Sequence, residues 1–372
     1  MKSEWNQNGI GEMNTTKTKD TNRPVRQPSV GFGIIGTGMI ASFHAKAINA
    51  INNAHLVAVY GNEPESVKRF AEEFHVKGYY SLEEFLADPE ICAVTVAVPS
   101  GYHGEVAIPA AKAGKHILCE KPLEITLERV DKIIQACEEN NVLLSPVFQA
   151  RFSRPVRMVK KAMQEGRFGR MVLASAQMRW FRNTAYYTNS SWRGTWALDG
   201  GGALMNQAIH TIDLLLYING APDTVFAFAG TLTHSIEVED NLCATVKFRN
   251  GSFGTIEVST SCAPGFPRRL EFSGDRGTVA FEEGKITRWE FTESLPGDDE
   301  AKNNFSGADS HGGSNPAHID SLGHEQQISD LADAILTGRK PFLDGREGRR
   351  AIELISGIYE SARTGRPYKF NN

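Results

Sequence analysis

Two stretches of this chain place proton-handling and ligand-holding side chains at useful spacings. The first is Leu118-Cys119-Glu120-Lys121-Pro122, an apolar run that ends on a lysine backed by proline. A surface loop would hold such a lysine harmlessly, but at the end of a buried strand it is awkward to pack and offers a positioned ammonium. The second runs Asp199-Gly200-Gly201-Gly202-Ala203-Leu204-Met205-Asn206-Gln207-Ala208-Ile209-His210-Thr211-Ile212-Asp213. On an α-helix, Asn206 and His210 share one face, and Asp213 lies one turn on, close enough to orient the imidazole. The three glycines before that helix would let backbone approach a ligand closely. A histidine on an apolar helix is more often a satisfied core residue. The paired amide and the glycines favour the functional reading.

These groups need elements to position them, and the clearest lies in Ser29 to Ala50. The apolar run Val30 to Ile35 ends in Gly36-Thr37-Gly38-Met39-Ile40-Ala41, and a helical pattern follows. Strand, G-x-G-x-x-A turn and helix form the setting in which such glycines bind a dinucleotide. Gly36 permits the tight turn, Gly38 removes a side chain from the pyrophosphate's path, and Ala41 lets helix and strand lie close. The helix N-terminus offers N–H groups and partial positive charge to phosphates. Thr37, Met39 and Ile40 would line the same turn. An overlapping G-x-G-x-x-G, Gly31-Phe32-Gly33-Ile34-Ile35-Gly36, lies inside the apolar run and is rejected. The next strand ends Val57-Ala58-Val59-Tyr60-Gly61-Asn62-Glu63. The ribose-reading position thus holds Gly61 and Asn62, neither an acid that would select NAD nor an arginine that would clamp the extra phosphate of NADP. The cofactor is expected to be NAD or NADP, and Gly61 reads equally well as a turn glycine. Lys121 would then lie beside the nicotinamide, at the carboxyl edge of the sheet.

From Ser29 to about Phe148 strand and helix alternate, which predicts a doubly wound parallel sheet. Ser81-Leu82-Glu83-Glu84 reads as a capping box. After Arg151 the pattern changes to long strands of period-two alternation, with Asn250-Gly251 as a hairpin turn and one helix, Ala203 to Ile218. The predicted fold is α/β: an N-terminal Rossmann-type parallel sheet, then an α+β domain with a large, open, mainly antiparallel sheet. The expected domains are 1–28, a disordered extension; 29–149, the cofactor domain; and 150–372, the substrate and oligomerisation domain. One free sheet face predicts a homodimer or homotetramer. Residues Leu295 to Leu322 read as a long polar loop, mobile or covering the active site. Helices at Glu325–Leu336 and Glu347–Thr364 close the chain.

Composition supports a globular enzyme over other classes. Net charge is −4, with 41% hydrophobic and 23% charged residues, so no general pull to nucleic acid or anionic membrane is expected. No apolar run has transmembrane length, and the first 28 residues lack a signal-type core. The five cysteines, Cys92, Cys119, Cys137, Cys243 and Cys262, form no C-x-x-C pair. They predict reduced, buried thiols in a cytoplasmic protein, and no metal site is expected.

The glycine turn, Glu120-Lys121-Pro122 and the glycine-rich helix with Asn206 and His210 together resemble the Gfo/Idh/MocA oxidoreductases. The likeness takes in Pro99, His103 and Trp192-Arg193-Gly194-Thr195-Trp196, and runs from about Ser29 to the C-terminus. It implies NAD(P)-dependent oxidation or reduction of a sugar hydroxyl carbon, with Lys121, His210 and Asn206 catalytic. It also implies Pro99, His103, Glu120 and Lys121 near the cofactor, and Arg179, Trp192, Arg193, Asn206 and His210 near the substrate. Many members carry Asp where this chain has Asn206. Leu204-Met205-Asn206-Gln207 is similar to the nucleotide-sugar 3-dehydrogenases, such as UDP-N-acetylglucosaminuronate dehydrogenases.

For Lys121 to accept a proton near neutrality its pKa must fall by about 3 units, roughly 4 kcal/mol. His210 needs almost no shift, so His210 is the expected base. A cationic Lys121 would steady the developing alkoxide, and Asn206 would hold a substrate hydroxyl. Arg151, Arg179, Trp180, Arg193 and Trp196 could line the substrate cleft, the guanidinium groups suiting an anionic sugar. The alternatives are a non-catalytic cofactor-binding sensor on the same fold, or a reductase of a non-sugar small molecule.

Overall fold

The computed structural model describes residues 28–303 and 321–371. Almost all of the predicted N-terminal extension, and most of the predicted loop before Leu322, lie outside the described residues. The chain first builds a six-stranded parallel sheet of order β3-β2-β1-β4-β5-β6. Its strands are β1 (Val30–Ile35), β2 (Ala54–Tyr60), β3 (Lys77–Tyr79), β4 (Ala93–Val96), β5 (His116–Cys119) and β6 (Leu144–Pro146). Between them run α1 (Met39–Ala50), α2 (Pro64–Phe74), α3 (Leu82–Ala87), α4 (His103–Lys112) and α5 (Leu127–Glu139). β1 and β4, apolar but for Thr95, are buried throughout, as central parallel strands covered on both faces must be. The Ser81 hydroxyl caps α3 by accepting from the Glu84 N–H.

The second half packs helices on one face of an eight-stranded sheet. Its helices are α6 (Arg154–Gln164), the short α7 (Thr184–Thr188) and α8 (Ile209–Asn219). Its strands are β7 (Met171–Arg179), β8 (Pro222–Gly230), β9 (Asn241–Phe248), β10 (Phe253–Ser259), β11 (Arg269–Gly274), β12 (Gly277–Glu282) and β13 (Lys285–Phe291). The chain ends with α9 (Asp298–Asn303), α10 (Leu322–Thr337), α11 (Gly345–Thr364) and β14 (Tyr368–Lys369). Strand order is β13-β12-β11-β7-β10-β9-β8-β14, and β7 pairs with β10 in parallel, so the sheet is mixed. On β9, burial alternates residue by residue, the pattern of a strand covered on one face. The open face carries Leu173, Phe228 and Phe253, each more than half exposed, with Leu173 and Phe253 lining a groove of about 610 Å³.

Several sequence expectations change here. The helix expected from Ala203 begins as a π-helical turn, Ala203–Ala208, and only then becomes α8. Helix α10 does not stay with the second domain. Its apolar side, Ile328, Leu331 and Ala332, is buried in the core of the first sheet with Ala45 and Ile48 of α1. The loop prediction at Leu295 gives way to α9, where Asp298 pairs with Arg167 at 2.6 Å and accepts from the Trp289 indole at 2.8 Å. The thiols are all free, but only Cys119 and Cys137 are buried. Cys243 is exposed because it points outward from β9, and Cys92, just before β4, is exposed as well.

Candidate active site

The dinucleotide turn is built as its sequence dictates. Gly36 takes φ +120, and a Cβ there would meet the Ala97 carbonyl oxygen at 2.4 Å, so glycine is required on both counts. Its N–H donates to Tyr60 O at 2.8 Å, tying the turn to β2. Gly38 differs: a Cβ there would meet nothing within 4 Å. It is the N-cap of α1 and no side chain caps that end. Ala41 is fully buried, while Gly38 and Met39 are exposed and Thr37 and Ile40 partly so. An uncapped helix N-terminus facing open space fits a pyrophosphate. At the ribose position, Gly61 packs close to Val67 and Thr37, and the Asn62 side chain accepts from the Tyr60 hydroxyl at 2.8 Å. The rejected glycines Gly31 and Gly33 lie within β1, where added Cβ atoms would strike Glu90 O and Phe85.

Behind the turn, β5 delivers Glu120 and Lys121, and the Lys121–Pro122 peptide is cis. Glu120 is buried. Its Oε1 lies 2.8 Å from His44 Nε2, and its Oε2 accepts the Lys121 backbone N–H at 3.0 Å. Burial pushes its carboxyl up, but the hydrogen bond and charge of His44, with His324 and Lys121, outweigh that and hold it at about 2. His44, Glu120 and His324 bring ligand-type atoms within 4.8 Å of one another, a cluster the sequence reading did not foresee. Its links join α1, β5 and α10. His103 is also buried, with Nδ1 2.8 Å from Pro122 O and Nε2 3.0 Å from Val98 O. Both ring nitrogens face backbone, so His103 shapes the loops after β4 and β5 and offers no polar atom to a cofactor. Pro99 opens the turn between them and is partly exposed.

Lys121 and the second glycine-rich stretch meet directly, since Lys121 Nζ donates to the backbone oxygen of Asn206 at 2.9 Å. The Asn206 amide donates to Asp199 Oδ1, and its oxygen accepts from Gln207 Nε2 at 2.7 Å. Gln207 also donates to the Tyr186 hydroxyl at 2.7 Å and accepts from Arg182 Nη2 at 2.9 Å. Burial lowers the Lys121 pKa. Glu120 and Asp199 act to raise it, and Arg182 and Arg193 to lower it. The π-helical turn sets this geometry: a wider turn resets the phase of the residues before α8. No hydrogen bond joins Asn206 to His210, which the α-helical spacing had put on one face.

Three expectations about His210 and its neighbours are overturned. Asp213 does not orient His210. It forms a buried bidentate pair with Arg151, at 2.6 and 2.8 Å, and Arg151 also meets Glu347 at 2.8 Å. Arg151 is therefore a core ion-pair residue and does not line a cleft; burying either charge alone would be costly, and each is the other's partner. His210 was expected near its ordinary pKa, but burial and then the Lys121 charge push it well below. Its Nδ1 is buried without a hydrogen-bond partner, and its ring lies edge-on to Phe148 at 5.8 Å. The glycines also play another part. Added Cβ atoms at Gly200, Gly201 and Gly202 would meet Ile125 at 2.5 Å, the Tyr359 hydroxyl at 2.2 Å and Glu239 O at 1.9 Å. The close approach is to protein.

The proposed substrate residues divide. Arg193 stacks over Tyr186 at 4.4 Å and lies 5.5 Å from the Trp192 ring. Arg179 lies over Phe266 at 4.9 Å, and none of its hydrogen bonds reaches the Lys121 network. Trp180 is buried under Arg182. Trp196 is held by Glu237 and stacks edge-on to Tyr359. Sequence reasoning missed Arg182, Tyr186, Gln207 and Asp199. Tyr186 sits on α7, too short to show a period. Asp199, beside the glycines, was the one legible signal.

An uncapped dinucleotide turn beside a half-buried lysine, imidazole and amide defines an NAD(P)-dependent oxidoreductase. The chain belongs to the Gfo/Idh/MocA family: residues 30–148 match the oxidoreductase family with NAD-binding Rossmann fold, and 156–280 the GFO/IDH/MocA C-terminal domain. It is similar to the WlbA dehydrogenase from Bordetella pertussis, solved with NADH and UDP-GlcNAcA. That likeness is 32% identity over 92% of this chain and 99% of that one, TM-score 0.83. The Chromobacterium violaceum WlbA complex with the same ligands is 31% identical over 94% and 98%, TM-score 0.85. Myo-inositol 2-dehydrogenase of Thermotoga maritima is 30% identical over 255 residues, 66% of this chain and 73% of that protein. These likenesses place the chain among dehydrogenases of sugar and polyol hydroxyl carbons.

Proposed function

We propose that the enzyme oxidises a ring hydroxyl of a nucleoside-diphosphate-linked sugar acid, of the UDP-GlcNAcA kind. The carrying observation is the convergence of cations: Lys121 bonds the Asn206 backbone oxygen, Arg182 bonds the neighbouring Gln207, and Arg182 and Arg193 both act to depress the Lys121 pKa. Cations that destabilise one another in the free enzyme favour a substrate that brings negative charge. The similarity to both WlbA complexes supports the same class.

A bound nicotinamide would supply the hydride acceptor for the carbon that bears the hydroxyl. The residues of the chain handle the proton. The Lys121 ammonium, fixed by the Asn206 backbone oxygen, lowers the proton affinity of the substrate hydroxyl and steadies the alkoxide. His210 is neutral at working pH, because burial and Lys121 keep it so, and Nε2 takes the hydroxyl proton. The same ammonium makes the hydroxyl a stronger acid and the imidazole a weaker base, so its two effects on the transfer offset. Asn206, with its amide oriented by Asp199 and Gln207, holds a neighbouring hydroxyl. The open sheet face, with Phe228, Phe253 and Leu173 exposed, supports self-association to a dimer or tetramer. No helix among the described residues is long and apolar enough to cross a membrane, and a cytoplasmic site of action fits free thiols.

A panel of UDP-GlcNAcA, UDP-GlcNAc, myo-inositol and free hexoses, each with NAD and with NADP, tests the reading. Highest kcat/KM on the nucleotide-linked acid is expected. Preference for a neutral free sugar or polyol would overturn the substrate class, and cofactor binding with no turnover on any of them would favour a sensor.

A further inference from the structure

Resting on that reading, we propose that Asp199 is a positioning residue: its buried carboxylate locks the Asn206 amide, anchors the Arg193 loop and holds Lys121 in its ammonium form. Asp199 is 2% exposed. Its Oδ1 accepts from the Asn206 amide and its Oδ2 from the Gly194 N–H at 2.9 Å. One carboxylate thus joins the π-helical turn to the segment that carries Arg193, and both groups flank Lys121. Asn206 is neutral and cannot carry charge itself. The charge at this place comes from the residue behind it.

The local balance shows why a carboxylate is needed. Lys121, Arg182 and Arg193 bring three positive charges. Of the acids that act on Lys121, Glu120 is already engaged by His44 and the Lys121 backbone N–H. Asp199 is the other acid that acts to keep Lys121 protonated, and Lys121 and Arg193 in turn favour the ionised Asp199. Burial works against that ion and raises its pKa to about 6, with the Asn206 and Gly194 hydrogen bonds pulling it down. Tyr186, Tyr187 and Tyr359 also feel the Asp199 charge, which favours their neutral phenols, while Arg268 and His324 act on the His210 imidazole. Protonation of Asp199 below about pH 6 therefore loosens Asn206 and removes charge from beside Lys121.

The test reads the lysine itself in cofactor-free protein. Carbon-13 labelling at lysine Cε, with the Lys121 signal assigned by its loss in Lys121→Arg, gives its titration. In wild type the signal should step near pH 6 as Asp199 titrates. In Asp199→Asn that step should vanish and the lysine midpoint should fall by about one pH unit, the order expected of a nearby charge at intermediate dielectric. In turnover, wild type should lose kcat below about pH 6. Asp199→Asn should lose that limb, have kcat lowered more than tenfold with KM less affected, and show an alkaline limb moved to lower pH. Asp199→Glu should recover part of the ammonium stabilisation. A Lys121 titration that is flat near pH 6 in wild type overturns the proposal even if the variants fail to fold. So does a Asp199→Asn protein that is less stable yet has unchanged Lys121 titration and pH profile. Full turnover in Lys121→Ala would instead overturn the reading on which it rests.

Discussion

Two glycine-rich turns open helices in this molecule, and they do opposite things. At Gly36-Thr37-Gly38 the helix end is uncapped, and a Cβ on Gly38 would point into empty space. At Gly200-Gly201-Gly202 the space is full. There Glu239 accepts the N–H groups of Gly202 at 3.0 Å and Leu204 at 2.8 Å, and the Tyr359 hydroxyl at 2.9 Å. The second turn is an anion cradle that already holds the chain's own carboxylate. Glycines before a helix are therefore a ligand site only where no internal anion occupies the amides. Elsewhere they let protein pack against protein.

The contrast can be broken at the second turn with the largest effect. Gly202→Ala puts a Cβ against Glu239 O, so unfolding by urea should show a loss of about 4 kcal/mol or more, since neither backbone can yield. Glu239→Gln should cost about 2–3 kcal/mol, because one of three donors then faces an amide N–H in a buried site; thermal unfolding checks it. Nicotinamide affinity should change little in either variant if the two turns are independent.

Asp199, at the edge of the second turn, tests stability against pH. Its folded pKa of about 6 lies above the ordinary 3.8. Its contribution is thus fully present below 3.8 and is lost as pH rises through about 6. Above that, its ionisation costs up to about 3 kcal/mol, offset in Asp199→Asn by about 1 kcal/mol of lost hydrogen bonding. The hydrogen-bond loss is the same at every pH, so the stability of Asp199→Asn relative to wild type should improve by about 2 kcal/mol between pH 4 and pH 7, from the ionisation term alone. The smallest change is at the first turn. Gly38→Val should leave the unfolding midpoint in place and weaken NADH binding about tenfold, or roughly 1.4 kcal/mol, as read by calorimetry. A Gly38→Val protein that is destabilised but binds normally would reverse the assignment of the two turns.

Most of the first domain was legible because its signals are local. The apolar run, the turn glycines and the helix period all lie within Ser29 to Ala50, and the capping box at Ser81 works as written. The second site was legible in its members but not in its wiring. Asp213 sits three residues from His210, yet its partner is Arg151, 62 residues away in sequence. Nothing local marks Arg182, Gln207 was legible only inside the Leu204-Met205-Asn206-Gln207 resemblance, and the π-helical turn that sets its phase departs from the 3.6-residue period used to read the helix. The protonation of His210 was misjudged for a similar reason. Its ordinary pKa holds in water, whereas the fold largely desolvates it beside a lysine brought from the other domain.

The central claim is that Lys121 and His210, carried by separate domains, act together on one hydroxyl. The most direct measurement is reduced-nicotinamide formation from UDP-GlcNAcA by wild type, Lys121→Ala and His210→Ala, with NADH affinity measured alongside. The account predicts that each variant binds NADH normally and loses about 10²–10⁴-fold in kcat. Turnover near the wild-type rate in both variants would contradict it.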